Sequence, residues 1–482
     1  MEGENIISTD KSNGVKKTFK SIVAVTISNI FTIVAGIFVG FFVPKILSVS
    51  DYGFYKTFTL YVGYVGLASL GIIDGIVLKY GGTNYENIDK AKFRSYFLWY
   101  LIINAFFSFL ILIIGFFIFQ GPYKIVLLFF GIDLIAANFT GYYQYISQIC
   151  MRFKELTTRN IIKSLLTVSG VLVLYILKLY SVANYWIYIL IVVLCNYALT
   201  FWYLFTYREI SFGRSLGLSK TFKDVLGFIK IGFPLFFSLL CSSLVLTIDR
   251  QFVNIFFEND VYALYAFAYN MLSLITVATS AISTVIYPTL KRSNENDLVK
   301  NYHLLVALDI IFVSFCLTGY FVLSWFVPWF LPKYVDSLPI FRIILPGLVI
   351  SSSITVIMHN YYKTFGMSLS YFVISVIVLI ISLSANFVSY FVWGTTVSIS
   401  WASIVTISIW YVCAQCFLSK KKNLPFVKNT LYLIVVVTSF YFVSIIGIWY
   451  IGLLVYLGLF VLTTCLFYFR ELKQVFCLFK RG

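Results

Sequence analysis

Apolar residues in this chain gather in blocks of about twenty, the length a helix needs to cross a hydrocarbon core of about 30 Å, and short polar links separate the blocks. Lipid supplies no water to backbone N–H and C=O groups, so only helices or a closed barrel satisfy them, and these blocks are too long for barrel strands. The pattern predicts an all-α polytopic membrane protein with about 14 transmembrane helices. Six spans are expected near 19 to 44, 54 to 79, 96 to 120, 124 to 148, 160 to 178 and 183 to 206. Six more fall near 229 to 250, 261 to 287, 303 to 331, 337 to 361, 369 to 392 and 395 to 418, and a closing pair near 428 to 446 and 449 to 469. The expected division is a cytoplasmic segment 1–18, a first six-helix lobe 19–210, a second 211–420, and a C-terminal helix pair with tail, 421–482.

Two stretches share one plan. The first apolar run leads to Pro44-Lys45, and the next opens with Asp51-Tyr52-Gly53-Phe54-Tyr55. The seventh, beginning Phe228-Ile229-Lys230-Ile231-Gly232-Phe233-Pro234, ends at Asp249-Arg250, and after a corner the eighth opens with Val261-Tyr262-Ala263-Leu264-Tyr265. A shift of about 210 positions lays Tyr52 on Tyr262 and Tyr55 on Tyr265, with Lys45 and Arg250 at the outward ends of the preceding spans. Paired halves of this kind are a common transporter construction.

Charge orients the spans. With the N-terminus inside, the inner links hold 29 Lys and Arg and the outer links 7, the bias expected when cytoplasmic loops are the basic ones. One missed or invented span would invert every later link, so the bias supports the span count and two cytoplasmic termini. It also accounts for much of the net charge of +17 without any nucleic acid partner, and inner basic links suit anionic membrane lipids. The polar N-terminus lacks the short apolar core of a cleavable signal, and is expected to stay. Composition agrees: 60% apolar and 11% charged residues, with a mean hydropathy of +0.92.

Enzyme chemistry leaves little trace. There is no phosphate-cradling GxxxxGK[ST], no HExxH, and only two histidines, His303 and His359. Cys413 and Cys416 form a CxxC without flanking His or a second pair, which is expected to be ordinary thiols rather than a metal site. Short outer links leave no room for the sugar-handling domain of a membrane polymerase. The expectation is a conduit with no catalytic residue, no metal and no cofactor. Polar residues at membrane depth are the informative ones, because charge there is costly and usually faces a bundle interior or water. Lys45, Asp249, Arg250, Asn270, Lys163 and His359 are the candidate substrate-binding positions. Asp74, Asp133 and Asp309 are candidates for binding a coupling proton or sodium ion. For each residue alone, snorkelling or a local ion pair is the competing reading. Gly36/Gly40 and Gly71/Gly75 have the spacing that lets helices approach closely. Asn138 heads a glycosylation sequon, but inside a span.

The layout, with Pro44-Lys45-Ile46-Leu47, Asp51-Tyr52-Gly53-Phe54-Tyr55, Gly232-Phe233-Pro234, Ile248-Asp249-Arg250, Tyr262-Ala263-Leu264-Tyr265 and Pro288-Thr289-Leu290, resembles the bacterial polysaccharide repeat-unit flippases of the multidrug/oligosaccharidyl-lipid/polysaccharide exporter superfamily. The resemblance covers almost the whole chain, through degenerate motifs. It implies two six-helix lobes around a central cavity and an undecaprenyl-pyrophosphate-linked oligosaccharide moved from the inner to the outer leaflet, with polysaccharide polymerase and chain-length machinery as partners. Lys45 and Arg250 are the positions most similar to the family's cavity cations. A teichoic acid or peptidoglycan precursor flippase, or a multidrug or cation antiporter of the same fold, remains the alternative.

Overall fold

The computed structural model describes residue 28, residues 30–292 and residues 294–479, with the side chains of residues 153, 277–285, 287–289, 291–292 and 470–479 outside the description. The expected segment 1–18, the beginning of the first span, Lys11, Lys16, Lys17, Lys20, Lys480 and Arg481 therefore lie outside the described residues. So do the side chains of Pro288, Thr289, Lys291, Arg292, Arg470 and Lys473.

Every regular element among the described residues is helical. Ten helices are long and apolar enough to cross a membrane, a bent pair, Val49–Ser69 with Ile72–Tyr80, makes an eleventh span, and Ile30–Ile46 and Val427–Val443 are shorter apolar helices. With Asn259–Arg292 these are the fourteen segments of an all-α polytopic fold. The chain packs as two compact units, Met1–Phe237 and Ser238–Gly482. Their division falls inside the Leu218–Val245 helix, just past its internal Pro234.

In the first unit the expected span at 54 to 79 is not one helix. Ser48 starts it by accepting a hydrogen bond from the Asp51 N–H at 3.0 Å while donating to the Asp51 carboxylate at 2.7 Å. The chain then breaks at Leu70 and Gly71, both with positive φ (51° and 76°), and bends by 58°. The break brings glycine backbone against glycine backbone. A Cβ on Gly71 would lie 2.7 Å from the Phe233 nitrogen, one on Gly75 2.3 Å from the Phe228 carbonyl oxygen, and one on Gly232 2.1 Å from the Gly71 oxygen. Gly71, Gly75 and Gly232 thus make the crossing between the Ile72–Tyr80 helix and the Leu218–Val245 helix. By contrast, nothing stands within 4 Å of a Cβ on Gly36.

Tyrosines fill much of this unit's core, where Phe93, Tyr96, Tyr100, Tyr142, Tyr143 and Tyr207 belong to one buried cluster. Tyr143 stacks on Tyr203 at 5.8 Å and on Tyr207 at 5.6 Å between centroids. Asn138, the sequon residue, is buried and donates to the Val65 carbonyl at 2.9 Å. At the polar link Lys90 and Arg152 both lie over the ring of Tyr85, whose hydroxyl burial pushes up to about 12.

In the second unit three expected boundaries move. The seventh span starts earlier, at Leu218, and stops at Val245; after a turn at Leu246 and Thr247, Ile248–Phe256 forms a separate short helix. Asp249-Arg250 therefore opens a helix instead of closing one. Near 303 to 331 stand two helices, Glu295–Cys316 and Gly319–Phe330. The span near 337 to 361 contains a π-helical stretch, Ser353–Met358, between Leu338–Ser352 and His359–Thr364. Single π turns inside α-helices often mark functional positions.

Candidate functional site

Asp249 and Arg250 sit in the first turn of Ile248–Phe256. The Asp249 side chain is buried, and its carboxylate accepts from the Arg250 backbone N–H at 2.8 Å, the Tyr265 hydroxyl at 2.8 Å, the Ser403 hydroxyl at 3.0 Å and the Tyr269 hydroxyl. Four donors on one carboxylate satisfy the hydrogen bonding of a buried polar group from within the protein. Tyr265 and Tyr269 lie one turn apart on Asn259–Arg292, so both hydroxyls reach the same point, while Ser403 comes from Thr396–Lys422.

Arg250 turns elsewhere. Its guanidinium donates to the Leu246 carbonyl at 2.9 Å and lies 4.4 Å above the Tyr269 ring. Asp249 and Arg250 are linked through Tyr269, which donates its hydroxyl to the carboxylate and offers its ring face to the cation. The guanidinium Nε–H is buried and has no acceptor among the described residues. Asn270, next in sequence to Tyr269, is half-buried, and its carbonyl accepts from the Ser273 hydroxyl at 2.7 Å.

Lys45 stands exposed at the end of Ile30–Ile46, and its backbone carbonyl accepts from the Lys178 ammonium at 3.0 Å. The Lys178 ammonium is thus held at the end of the helix that carries Lys45. Elsewhere in the first unit Asp133 is fully buried, accepts from the Asn196 amide at 2.9 Å and has a second carboxylate oxygen without a hydrogen-bond donor among the described residues. Lys163, on Phe153–Leu179, lies within electrostatic reach of that carboxylate. Asp74 is half-buried in the first turn of Ile72–Tyr80, immediately after the break.

Asp309 is buried on Glu295–Cys316 and accepts from the hydroxyls of Ser352 at 2.8 Å and Ser353 at 3.1 Å, where the π stretch begins. The looser winding there directs two consecutive serines at one carboxylate. His359 packs its ring on Tyr371, 4.6 Å between centroids and 20° from parallel. Cys413 and Cys416 are exposed free thiols, and no group of three or more His, Cys, Asp or Glu among the described residues could hold a metal ion.

The candidate carboxylates stand apart from one another, each with hydroxyl or amide donors that single-residue reading did not name: in the first unit Asn196 for Asp133, and in the second Tyr265, Tyr269 and Ser403 for Asp249 and Ser352 and Ser353 for Asp309. For the tyrosines a signal existed, since residues four apart share a helix face. Ser403 lies 154 positions from Asp249, and nothing local points to it.

No family model matches the chain, and no curated protein sequence matches it either. Solved structures do. The chain is similar to "Lipid II flippase MurJ, inward closed conformation", with a TM-score of 0.71 and 13% identity over 94% of this chain and 99% of that one. It is also similar to an inward-facing multidrug resistance MATE family transporter of the MOP superfamily, with a TM-score of 0.57 and 13% identity over 82% and 96%. A MATE transporter from Vibrio cholerae matches with a TM-score of 0.53 and 12% identity over 86% and 98%. At these identities the likeness establishes the fold alone: this chain has the fold seen in the lipid II flippase MurJ and in the MATE transporters.

Proposed function

We propose that this protein is a flippase that moves undecaprenyl-pyrophosphate-linked oligosaccharide repeat units from the inner to the outer leaflet by alternating access, for surface polysaccharides of the capsule or O-antigen type. The observation that carries the reading is Arg250, a cation fixed at a helix break, braced by Leu246 and Tyr269, with a buried Nε–H still free to donate. A pyrophosphate bearing sugars cannot cross hydrocarbon unaided, because an unpaired ion there costs at least several kcal/mol. A small number of fixed cations lowers that barrier while letting the cargo leave. Lys45, whose backbone carbonyl accepts from the Lys178 ammonium, supplies a second such position. A drug exporter for cationic substrates would put an open carboxylate where Arg250 stands, whereas Asp249 is already saturated by donors. The likeness to a lipid II flippase supports a lipid-linked anionic cargo and keeps the peptidoglycan precursor as the second reading.

Both termini lie on the cytoplasmic side of the cell membrane in this reading, a proton or sodium gradient drives the cycle through Asp74, Asp133 or Asp309, and the polymerase and chain-length machinery receive the product. The test is reconstituted transport of defined lipid-linked saccharides, with lipid II and a drug panel in parallel. Arg250→Gln and Lys45→Gln should keep normal membrane levels with reduced flipping, and Arg250→Lys should recover part of it, since charge survives while the planar fork is lost. Normal flipping by the double Gln variant at wild-type abundance would remove both residues from the mechanism, and transport of drugs alone would reject the cargo class.

A further inference from the structure

A cleft of about 370 Å³ opens in the first unit where Ile72–Tyr80 crosses Leu218–Val245. One wall is polar: Lys79, in the last turn of the first helix, and Lys223 and Asp224, in the second turn of the other, all line it. The remaining wall is apolar, with Leu78, Phe228 and Ile231.

Asp224 is already committed. It lies 3.0 Å from the Lys92 ammonium and 3.8 Å from that of Lys79, and it accepts from the Tyr96 hydroxyl at 2.9 Å. Its work is to hold two ammonium groups at the lip of the cleft. Lys223 has no carboxylate partner among the described residues and stands exposed. The next carboxylate, Asp89, spends one oxygen capping Lys90–Phe117 through the Lys92 N–H at 3.0 Å. Three lysines against Asp224 and this cap leave the lip with an excess of positive charge.

The two lysines stand next to polar links. Lys79 precedes the polar link at residues 81–89, and Lys223 follows closely on that at 212–217, so the ammonium groups stand at the water boundary. Leu78 and Ile231 are each 55% exposed and line the apolar wall beneath. An inorganic anion would use the lysines and leave this wall in water. A molecule with a phosphate head and hydrocarbon tails would use both, and basic pockets between spanning helices commonly take such head groups. We propose that this cleft binds one anionic phospholipid of the phosphatidylglycerol kind, its phosphate between Lys79 and Lys223 and an acyl chain along Leu78 and Ile231, in the leaflet that the basic links face. Because the helices flanking the cleft are the pair locked at Gly75 and Gly232, the lipid sits at the joint of the first unit and braces it.

The experiment is native mass spectrometry of the purified full-length protein released from nanodiscs containing equal phosphatidylglycerol and phosphatidylcholine, with heat stability measured in each lipid alone. The wild type should retain one phosphatidylglycerol in preference to phosphatidylcholine. Each lysine near a charged lipid surface contributes about fivefold in affinity, so Lys223→Gln should lower retention about fivefold and a Lys79→Gln/Lys223→Gln pair more than tenfold. Lys223→Arg should keep it, and Lys421→Gln serves as a charge control that leaves it unchanged. Lys223→Gln breaks no described ion pair, so its result stands even if Lys79→Gln perturbs the Asp224 cluster. Equal phosphatidylglycerol retention by wild type and the double variant overturns the proposal. Displacement of the lipid by glycerol phosphate at equal concentration reassigns the cleft to a soluble phosphate and also overturns it. Preferential capture of undecaprenyl pyrophosphate there, dependent on Lys223, assigns it to cargo and overturns it likewise.

Discussion

Gly75→Ala adds one methyl carbon, and the place where that carbon would stand decides its effect. It would lie 2.3 Å from the Phe228 carbonyl oxygen and 2.6 Å from the Phe228 Cα. Carbon and carbonyl oxygen ordinarily stay about 3.3 Å or more apart. The two helices must therefore part by about 1 Å, and no rotamer change relieves the clash because the obstructing atoms are backbone. Overpacking of this sort costs about 1–3 kcal/mol. Parting the helices by about 1 Å also forfeits up to about half of each dispersion contact along the crossing. Against this stands a gain of about 0.5–1 kcal/mol for replacing a helical glycine by alanine, so destabilisation wins. For a unit of this size about 1 kcal/mol moves an unfolding midpoint by about 2–4 °C, which puts the expected fall at about 2–8 °C. Gly232→Ala, with its methyl 2.1 Å from the Gly71 oxygen, should fall similarly. The double variant should fall by less than the sum, since helices already parted for one methyl have room for the second. Gly36→Ala is the control: nothing stands within 4 Å of its methyl, so its midpoint should hold or rise. The assay is the fraction of purified protein that stays monodisperse after graded heating in one detergent. A Gly75→Ala midpoint equal to or above that of Gly36→Ala would refute the backbone crossing.

Tyr269→Phe removes one donor from Asp249 while keeping the ring beneath Arg250, and a hydrogen bond to a charged group is worth about 1.5–3 kcal/mol, so the variant and Tyr265→Phe should each lose stability in the same heating assay. Unchanged midpoints for both would mean that Asp249 does not depend on these hydroxyls. Asp309→Asn keeps acceptor capacity facing Ser352 and Ser353 and should reach the membrane at normal levels; if Asp309 carries the coupling ion, transport loses its dependence on the gradient. Unaltered gradient dependence with Asn at Asp74, Asp133 and Asp309 together would discard carboxylate coupling. Finally, a cysteine replacing Lys421 should be labelled by a membrane-impermeant reagent only in opened cells, and efficient labelling of intact cells would overturn the orientation read from the basic links.

Hydropathy is a property of residues added up along the chain, so the number and order of the membrane segments were legible from the apolar blocks alone. The same holds for the uneven sharing of Lys and Arg between alternate links, which needs no knowledge of packing. Within one helix, spacing carried further: Gly71 and Gly75 on one face announced a close approach, and Tyr265 and Tyr269 one turn apart could have been read as two hydroxyls aimed together. The partners across helices were not legible. Gly232 as the third glycine of the crossing, Ser403 on Asp249, Asn196 on Asp133 and the Ser352-Ser353 pair on Asp309 each depend on how two helices rotate and slide against one another. The breaks at Leu70-Gly71 and Leu246-Thr247 belong to the same class. Lipid rewards any apolar face of a helix almost equally, so apolar content settles that a helix crosses the membrane, while its rotation is chosen by close packing and by buried polar groups that must find donors inside the protein.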